Sequence, residues 1–415
     1  MNVIEGGKGI FSYFHKAPLF QTIFNIILVI WIFSIPLKNS IYQISTVLLI
    51  LLFLFHITFY KQTKKFLETI QRNNQLIILF LLLLTTMFLS SLFGVSDING
   101  ILQVFKYFYR YIFILIILFY FYEQRFFSIK FILTLIFFTL FTNALNGLYQ
   151  YLFGLDFIVH KAPDHKTLLT GAVYHHNPFG LLMALGAIFS LVLFFDTKKY
   201  LQIKYEKTLF LISSLLFLFT LFHSQSRSAW VMFGLFSLGF LILYIRKNGI
   251  DKKLLFTIGI LILSVVIIFL SDDNLQHRLA LLFQGNSAGR TTQIWPSTLE
   301  KVKESPFWGY GVNTYKILFE GTKAGHHAGV HNLTLEFLLY TGIIGFFIFI
   351  YLLIVTLKQS LKVRKYIYFI LLLAYIILLQ FDGSLMNSKV HLNIFILLLF
   401  FIYAPKSQKK VKNHV

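Results

Sequence analysis

The chain has 415 residues, of which 57% are hydrophobic, 18% aromatic and only 13% charged. So few charges cannot cover the surface of a soluble protein of this size, and the composition therefore predicts a polytopic membrane protein. The formal net charge of +21 does not indicate a nucleic-acid partner, because the basic residues stand in short clusters between apolar runs, which is how membrane topology is encoded.

Twelve apolar runs approach or reach the length that crosses a bilayer as a helix, about 17 to 25 residues. The first run is expected to remain as a helix, because no small-residue cleavage site follows it. The sequence therefore predicts an all-α polytopic fold of about 12 transmembrane helices, forming one membrane domain over residues 1–415. The runs are Leu19–Leu37, Ile41–Phe59, Leu76–Phe93, Tyr107–Tyr122, Ile129–Tyr149, Pro178–Phe195, Leu209–His223, Ala229–Ile245, Leu254–Leu270, Leu333–Leu357, Tyr366–Leu379 and Leu392–Tyr403.

The basic residues predict the orientation of these helices. Clusters of lysine and arginine recur at both ends of the chain and in every second connecting segment, for example over 61–72, 246–253 and 358–365. Loops on the cytoplasmic side carry such an excess of positive charge. We therefore expect a multi-pass membrane protein with both termini in the cytoplasm.

Polar chemistry collects in the segments on the opposite side. One runs from Gly154 to Asn177 and is rich in histidine, and the other is a loop over 271–330, between the ninth and tenth predicted helices. A loop much longer than about 15 residues is usually functional or disordered. Apolar residues recur at helical spacing from Ile294 to Val302, so the 271–330 loop is predicted to form a small helical cap against the membrane surface.

Three short stretches on this side carry the strongest functional signal: Ser226–Trp230, Gly289–Arg290 and His331–Asn332. Each places a cationic or imidazole group near the end of an apolar segment, where an unpaired charge is costly unless an anion accompanies it. Taken singly, each has an ordinary interpretation, since an arginine can snorkel to the interface or be solvated, and a histidine can be merely interfacial. Taken together, the three stretches indicate a phosphate-bearing lipid as the ligand.

The sequence gives no sign of a metal or nucleotide cofactor. His327 and His331 have the spacing of two ligands on one helix face, but the three residues between them are a poor helical spacer and no zincin glutamate follows. Asp272 and Asp273 are interpreted as a solvated helix end rather than a cation site. The sequence also lacks cysteine, a Walker loop and a dinucleotide-binding glycine motif.

The order of these stretches resembles the O-antigen ligase family. The residues that carry the resemblance are His223-Ser-Gln-Ser-Arg227-Ser-Ala-Trp, Gly289-Arg290, Pro306-Phe-Trp-Gly309-Tyr-Gly311, and His331-Asn332 followed by Glu336 and Gly342-Ile-Ile-Gly345. The segment Gly171-Ala-Val-Tyr-His-His176-Asn177-Pro also resembles the asparagine-containing start of a helix in that family, although the arginine often found upstream is absent. The match in motifs spans most of the chain.

The resemblance implies a GT-C-like enzyme that transfers O-antigen glycan from undecaprenyl diphosphate to the lipid A–core acceptor on the periplasmic face, without a cofactor and with inversion. It assigns Arg227 and Arg290 to the diphosphate and His331 to the acceptor hydroxyl, in keeping with the cations that a departing diphosphate requires. The further candidates for substrate binding are Ser226, Asn177, His176, Asn332 and Arg110, the last placed with Lys106 at the outer end of its helix.

Three alternatives remain open at this point. An O-antigen or capsule polymerase uses the same donor with a carrier-linked acceptor, and a protein O-oligosaccharyltransferase is a variant of the same chemistry. A polysaccharide flippase or transporter is more distant. Transporters commonly show internal repeats and ionisable residues at the midplane, whereas this sequence shows no convincing repeat and its key residues lie at helix ends.

Overall fold

The computed structural model describes residues 18–37, 39–165, 167–173, 175–197, 200–201, 203–285, 289–327, 329–381 and 385–405. Over these residues the protein is built from helices, and the β structure is limited to one bridge between Asp164 and Leu168. The helices are α1 Leu19–Ser34, α2 Asn39–Phe59, α3 Thr63–Arg72, α4 Asn74–Phe93, α5 Ile98–Glu123, α6 Ile129–Phe153, α7 His176–Phe195, α8 Glu206–His223, α9 Arg227–Asn248, α10 Lys252–Leu270, α11 Asp273–Phe283, α12 Trp295–Glu304, α13 Tyr315–Leu318, α14 Leu333–Lys362, α15 Tyr366–Phe381 and α16 Lys389–Tyr403.

The helices confirm the predicted fold class. Among the described residues, nine helices are long and apolar enough to cross a membrane, namely α2, α4 to α10 and α14. Three shorter apolar helices, α1, α15 and α16, coincide with the remaining predicted runs. The protein is therefore an all-α polytopic membrane protein, while a crossing by the three shorter helices stays a prediction.

Among the described residues, four helices lie outside the twelve predicted apolar runs, namely α3 and three helices in the 271–330 loop. Helix α3 is short and amphipathic, and it is fixed to the end of α5 where the Thr69 hydroxyl donates to Glu123 Oε2 at 2.6 Å. Helix α11 follows α10 almost directly, within the 271–330 loop. That loop also contains α12, at the predicted position, and α13. The division into one membrane domain and a 271–330 cap stays a prediction.

One end of the bundle gathers the polar connecting segments, and we call it the loop face. Backbone and side-chain hydrogen bonds join these segments to one another across long distances in sequence. The bonds run from Val95 N to Tyr310 O at 3.0 Å, from Leu169 N to His223 O at 3.1 Å, from Asn332 Nδ2 to Gln380 O at 3.1 Å and from Lys389 Nζ to Leu37 O. The segments before α2, α5, α7, α9, α14 and α16 therefore meet at the loop face.

The opposite end, which we call the basic face, carries most of the described lysine clusters. Lys253 Nζ donates to Phe194 O at 2.8 Å and Lys365 Nζ donates to Ala404 O at 2.8 Å, so both ammonium groups bind carbonyls at helix ends. Cations are favoured there because the last carbonyls of a helix lack partners within it. The basic residues at the two termini, including Lys8, Lys16 and those of 406–412, lie outside the described residues.

Helix α14 is bent at Gly342, and this bend shapes the loop face. The φ angle of Gly342 is +61°, a conformation that favours glycine, and a β-carbon there would lie 2.2 Å from Phe307 O. Ile343 N donates to Pro306 O at 2.8 Å across the same contact. The first part of α14, residues 333–341, is thereby held against the 306–311 segment, and the longer second part runs on through the bundle.

Candidate active site

The Ser-Arg-Ser turn is a tight connection between α8 and α9. Ser224 Oγ donates to Leu221 O at 2.6 Å and accepts from Ser226 N at 3.3 Å, and Trp230 Nε1 also donates to Leu221 O, at 3.2 Å. Ser226 is buried, whereas Arg227, the first residue of α9, is half-buried. The short loop that the sequence predicts between these helices is confirmed, and it places the Arg227 guanidinium at the loop face.

The start of α7 packs directly against this turn. A β-carbon at Gly180 would lie 2.5 Å from Ser226 Cβ and 2.6 Å from Ser224 Oγ, so only glycine permits this approach. His176 and Asn177 are the first two residues of α7, about one turn before that contact. The structure therefore brings His176 and Asn177 close to the Ser226 turn, although they are far apart in sequence.

Asp164 fixes the first turn of α7. Its Oδ2 atom accepts from His176 N at 3.1 Å and lies 3.4 Å from His176 Nδ1, while Oδ1 accepts from Lys161 Nζ at 2.8 Å. Burial alone would raise the pKa of Asp164, but the hydrogen bonds from His176 and Lys161 and the charge of Lys161 outweigh it and hold the pKa well below its usual value. The carboxylate is therefore ionised at neutral pH and binds the helix start.

One group among the described residues has the arrangement of a metal site. Ligand atoms of Asp164, His175 and His176 lie within 4.8 Å of one another. Their contacts within the protein already account for this arrangement, because Asp164 binds Lys161 and His176, and His175 Nδ1 accepts from Asn177 N at 3.2 Å. A nearby ammonium group and a helix N-terminus both oppose a bound cation, so we assign no metal to this group.

Arg290 and the His-Asn stretch meet at the end of α15. Arg290 follows Gly289, whose φ is +82°, and its Nη1 donates to Phe381 O. Asn332 Nδ2 donates to the preceding carbonyl, Gln380 O, at 3.1 Å. Two sequence motifs that lie about 40 residues apart in the chain are therefore anchored on adjacent carbonyls, as the prediction of a shared site requires.

His331 is held by bonds on both sides of it. Trp295 Nε1 of α12 donates to Val330 O at 3.2 Å, and Asn332 Oδ1 accepts from Leu335 N at 2.9 Å. The α14 helix therefore begins at Leu333 with Asn332 as its N-cap, and His331 precedes the helix rather than starting it. The φ of His331 is +53°, an uncommon conformation for a non-glycine residue. Its half-buried ring is thus placed by two fixed neighbours.

Arg227 lies at the same height in the helical bundle as Arg290 and Asn332. Helices α9 and α15 run in opposite directions and touch where a β-carbon at Gly239 would lie 2.7 Å from Ile370 Cγ2. From that contact, a rise of about 1.5 Å per residue puts Arg227 about 18 Å and Phe381 about 16 Å along their helices toward the loop face. The three sequence motifs therefore reach one level of the bundle.

Arg110 belongs to a different group of residues. Its Nε donates to Tyr109 OH at 2.9 Å and its carbonyl accepts from Tyr42 OH at 3.3 Å. Its positive charge repels the ammonium group of Lys389. Tyr42 and Lys389 lie near the loop-face ends of α2 and α16. Arg110 itself lies near the middle of α5 and not at the outer end of its helix, so that prediction is wrong. Helix α5 itself begins earlier than predicted, at Ile98. The described contacts of Arg110 join it to this group and not to the three motifs.

Arg278 is a functional candidate that the sequence analysis missed. It lies on α11, and its Nε donates to Gln225 Oε1 at 3.0 Å, directly beside Ser226. Burial lowers the pKa of Arg278, but a guanidinium starts so high that it stays charged. A signal was present, because Leu275 and Leu279 have the spacing of one helix face and would have indicated a helix carrying Arg278 back to the bundle.

The structure also shows the surroundings of Asp272 and of the His327 and His331 pair, to which the sequence gave no functional role. Asp272 Oδ1 accepts from Asn274 N at 2.9 Å at the start of α11, which agrees with its interpretation as a helix end. Asp272 Oδ2 lies 3.8 Å from His223 Nε2. The described residues between His327 and His331 are not helical, so these two histidines do not share a helix face.

An apolar helical bundle with arginine, histidine and asparagine side chains gathered at one end defines a polytopic membrane protein with a cationic site at the loop face. The family model described as O-Antigen ligase matches residues 212–350, which contain Arg227, Arg290 and His331. This match confirms the resemblance to the O-antigen ligase family. Over these residues, about a third of the chain, the protein is similar to O-antigen ligases, and the match supports a function of the ligase or polymerase type, with glycosyl transfer as its class of reaction.

Three of the candidate residues lie outside the segment that the family model matches. The matched segment excludes Arg110, His176 and Asn177, so their assignment rests on sequence motifs and on the contacts described above. No curated protein sequence matches the chain.

Proposed function

We propose that the protein is a glycosyltransferase that moves O-antigen glycan from undecaprenyl diphosphate to the lipid A–core acceptor at the loop face. The observation that carries the proposal is the anchoring of Arg290 and Asn332 on adjacent carbonyls of α15, at the height of Arg227. The basic face would lie in the cytoplasm of an inner-membrane protein, because positive charge accumulates on that side. The loop face would then open to the periplasm, where donor and acceptor are expected.

The proposed chemistry needs cations rather than a metal or nucleotide. The acceptor hydroxyl oxygen attacks the anomeric carbon, the bond from that carbon to the diphosphate oxygen breaks, and the bonding electrons leave with the diphosphate. Arg227 and Arg290 would stabilise the negative charge that develops there, because a guanidinium stays charged and can bind two oxygens at once. Direct displacement inverts the anomeric centre.

His331 would take the proton of the acceptor hydroxyl. Imidazole is suited to general-base catalysis near neutral pH. Its fixed position before the Asn332 N-cap supports this role, since a general base must be held within hydrogen-bond reach of its substrate. Ser226, His176 and Asn177 would contribute further polar contacts beside Arg227.

A polymerase is the second candidate, since the family match supports both types of reaction. The two differ in the acceptor. In a deletion strain, loss of a ligase leaves carrier-linked polymer accumulating, whereas loss of a polymerase leaves a single repeat on the core. Loss of a protein O-oligosaccharyltransferase would instead leave its target protein unglycosylated. Loss of a flippase would leave transfer intact in a purified system that is supplied with both donor and acceptor.

The test is a transfer assay in membranes with Arg227→Ala, Arg290→Ala and His331→Ala at equal expression. Removing one charge-assisted contact in the transition state should cost about 2 to 4 kcal/mol, or roughly 30-fold to 1000-fold in rate. Arg246→Ala is the matched control, because Arg246 lies on α9 at the basic face and is exposed. Near wild-type transfer by Arg290→Ala and His331→Ala would refute the proposal.

A further inference from the structure

A polar cavity opens at the loop face, apart from the three motifs. Its volume is about 330 Å³, within the range of pockets that hold small molecules. Three amide side chains, two tyrosines and one lysine line it, namely Gln103, Asn313, Tyr315, Lys316, Tyr340 and Asn387. None of these lining residues is a carboxylate. Asn313, Lys316 and Asn387 are exposed, so the cavity reaches the surface.

The wall formed by residues 311–316 is fixed in place. Val312 N donates to Ser91 Oγ at 2.9 Å, and Ser96 Oγ donates to Val312 O at 2.9 Å. Gly311, with a φ of +92°, allows this approach, since a β-carbon there would lie 2.2 Å from Ser96 Oγ. Tyr315 OH donates to Ala324 O at 2.9 Å. The side chains of this wall are therefore presented from a backbone that is bound to α4 and to the segment between α4 and α5.

The opposite wall continues from the candidate active site. Residues 385–387 lie along the first part of α14, because Met386 N lies 3.5 Å from Glu336 Oε2 and Asn387 Nδ2 donates to Tyr340 OH at 3.3 Å. The end of α15 lies beside the start of the same helix, where Gln380 O accepts from Asn332 Nδ2. Tyr340 is eight residues beyond Asn332, or about 12 Å along the helix. The cavity and the Arg290 and His331 site thus lie along the same stretch of α14.

The lining has the chemistry of a carbohydrate site. Each amide offers both donors and acceptors, which matches the mixed character of sugar hydroxyls. A tyrosine presents an apolar ring to the C–H face of a sugar and a hydroxyl to its edge. Because Lys316 is the charged member and no carboxylate opposes it, the cavity would also accept an acidic or phosphorylated sugar.

We propose that this cavity is a saccharide-binding subsite, which holds sugar units beyond the one that reacts and so directs the reacting sugar toward Arg290 and His331. The inference rests on the proposed function, which it extends by naming where the glycan is recognised. The saccharide belongs either to the donor or to the acceptor.

The experiment measures binding of free saccharides to the full-length protein in nanodiscs by calorimetry. Two lipid-free probes are used: core oligosaccharide released by mild acid from the lipopolysaccharide of the host strain, and its released O-antigen repeat. We expect one of them to bind, and the double variant Gln103→Ala with Lys316→Ala to weaken that binding by about tenfold, the effect of losing two hydrogen bonds. Lys323→Ala, an exposed lysine outside the cavity lining, is the matched control and should bind as the wild type does.

Binding of the core probe would assign the subsite to the acceptor, and binding of the repeat would assign it to the donor. The inference fails if neither probe binds to the wild type, or if the double variant, with an unchanged melting temperature, binds as well as the wild type. Arg290→Ala separates the two proposals, because it should lose transfer and still bind the free saccharide. If Arg290→Ala and His331→Ala both retain near wild-type transfer, the proposed function fails while the binding result stands by itself.

Discussion

Arg290 and Asn332 donate hydrogen bonds to the carbonyl oxygens of two consecutive residues, Phe381 and Gln380, at the last turn of α15. The last carbonyls of a helix lack partners within it and carry partial negative charge, so they attract donors and cations. The end of α15 therefore acts as a common anchor for two motifs, one within the 271–330 loop and one directly after it.

Arg290→Lys should lower transfer although it keeps the charge. A guanidinium has donors in a planar fork and can bind Phe381 O while it binds an oxyanion, whereas an ammonium is a point donor on a flexible stem. We expect a fall of roughly 10-fold to 100-fold in kcat/KM in the membrane transfer assay, smaller than for Arg290→Ala. Equal activity of Arg290→Lys and wild type would show that charge alone is needed there.

The Asn332 side chain makes two hydrogen bonds whose effects can be measured separately by substitution. Asn332→Asp keeps an N-cap acceptor for Leu335 N but loses the donor to Gln380 O, and Asn332→Ala loses both. Loss of the cap should cost about 0.5 to 2 kcal/mol of stability. We therefore expect Asn332→Ala to lower both the melting temperature and transfer, and Asn332→Asp to lower mainly transfer. A normal transfer rate for both variants would show that Asn332 does not position His331.

The Arg278 contact with Gln225 should support the position of Arg227. Removing either partner frees the turn that precedes α9, so Arg278→Ala and Gln225→Ala should each reduce transfer by several-fold. Partners in one contact show non-additive effects. We therefore expect the double variant to be about as impaired as the single ones. If the two losses multiply, then Arg278 acts on the substrate independently of Gln225.

Asp164 should make the stability of the loop face depend on pH. Its folded-state pKa is lowered, so its contribution is present above the ordinary aspartate pKa of about 3.9 and is lost as the pH falls below that value. Asp164→Asn lacks the contribution at every pH and should cost roughly 1 to 3 kcal/mol at neutral pH. The difference between the melting temperatures of the two proteins should therefore be constant near neutral pH and should narrow progressively as the pH falls from about 4 to about 3. A constant gap over that range would contradict this account.

The sequence by itself determined the class of the protein. Runs such as Leu254–Leu270 are too apolar and too long for anything but a helix in lipid, because backbone groups there must be satisfied within the segment. The same reasoning selected the candidate residues of the proposed site, since Arg227, Arg290 and His331 each stand out as polar groups at the margins of apolar sequence. Short amphipathic helices such as α3 and α11 gave a weaker signal and were missed.

Only the tertiary structure decided which of these residues meet. The approach of α7 to the Ser226 turn depends on the missing side chain of Gly180, and the neighbourhood of Arg290 and Asn332 depends on two carbonyls of α15. Neither relationship leaves a periodic pattern, since both are contacts between backbone and side chains distant in sequence. Hydrophobicity along the chain reports how far each segment lies from water, and that property is local. Which helix lies beside which is set by close packing among many apolar surfaces of similar character, so it emerges only when the whole bundle is assembled.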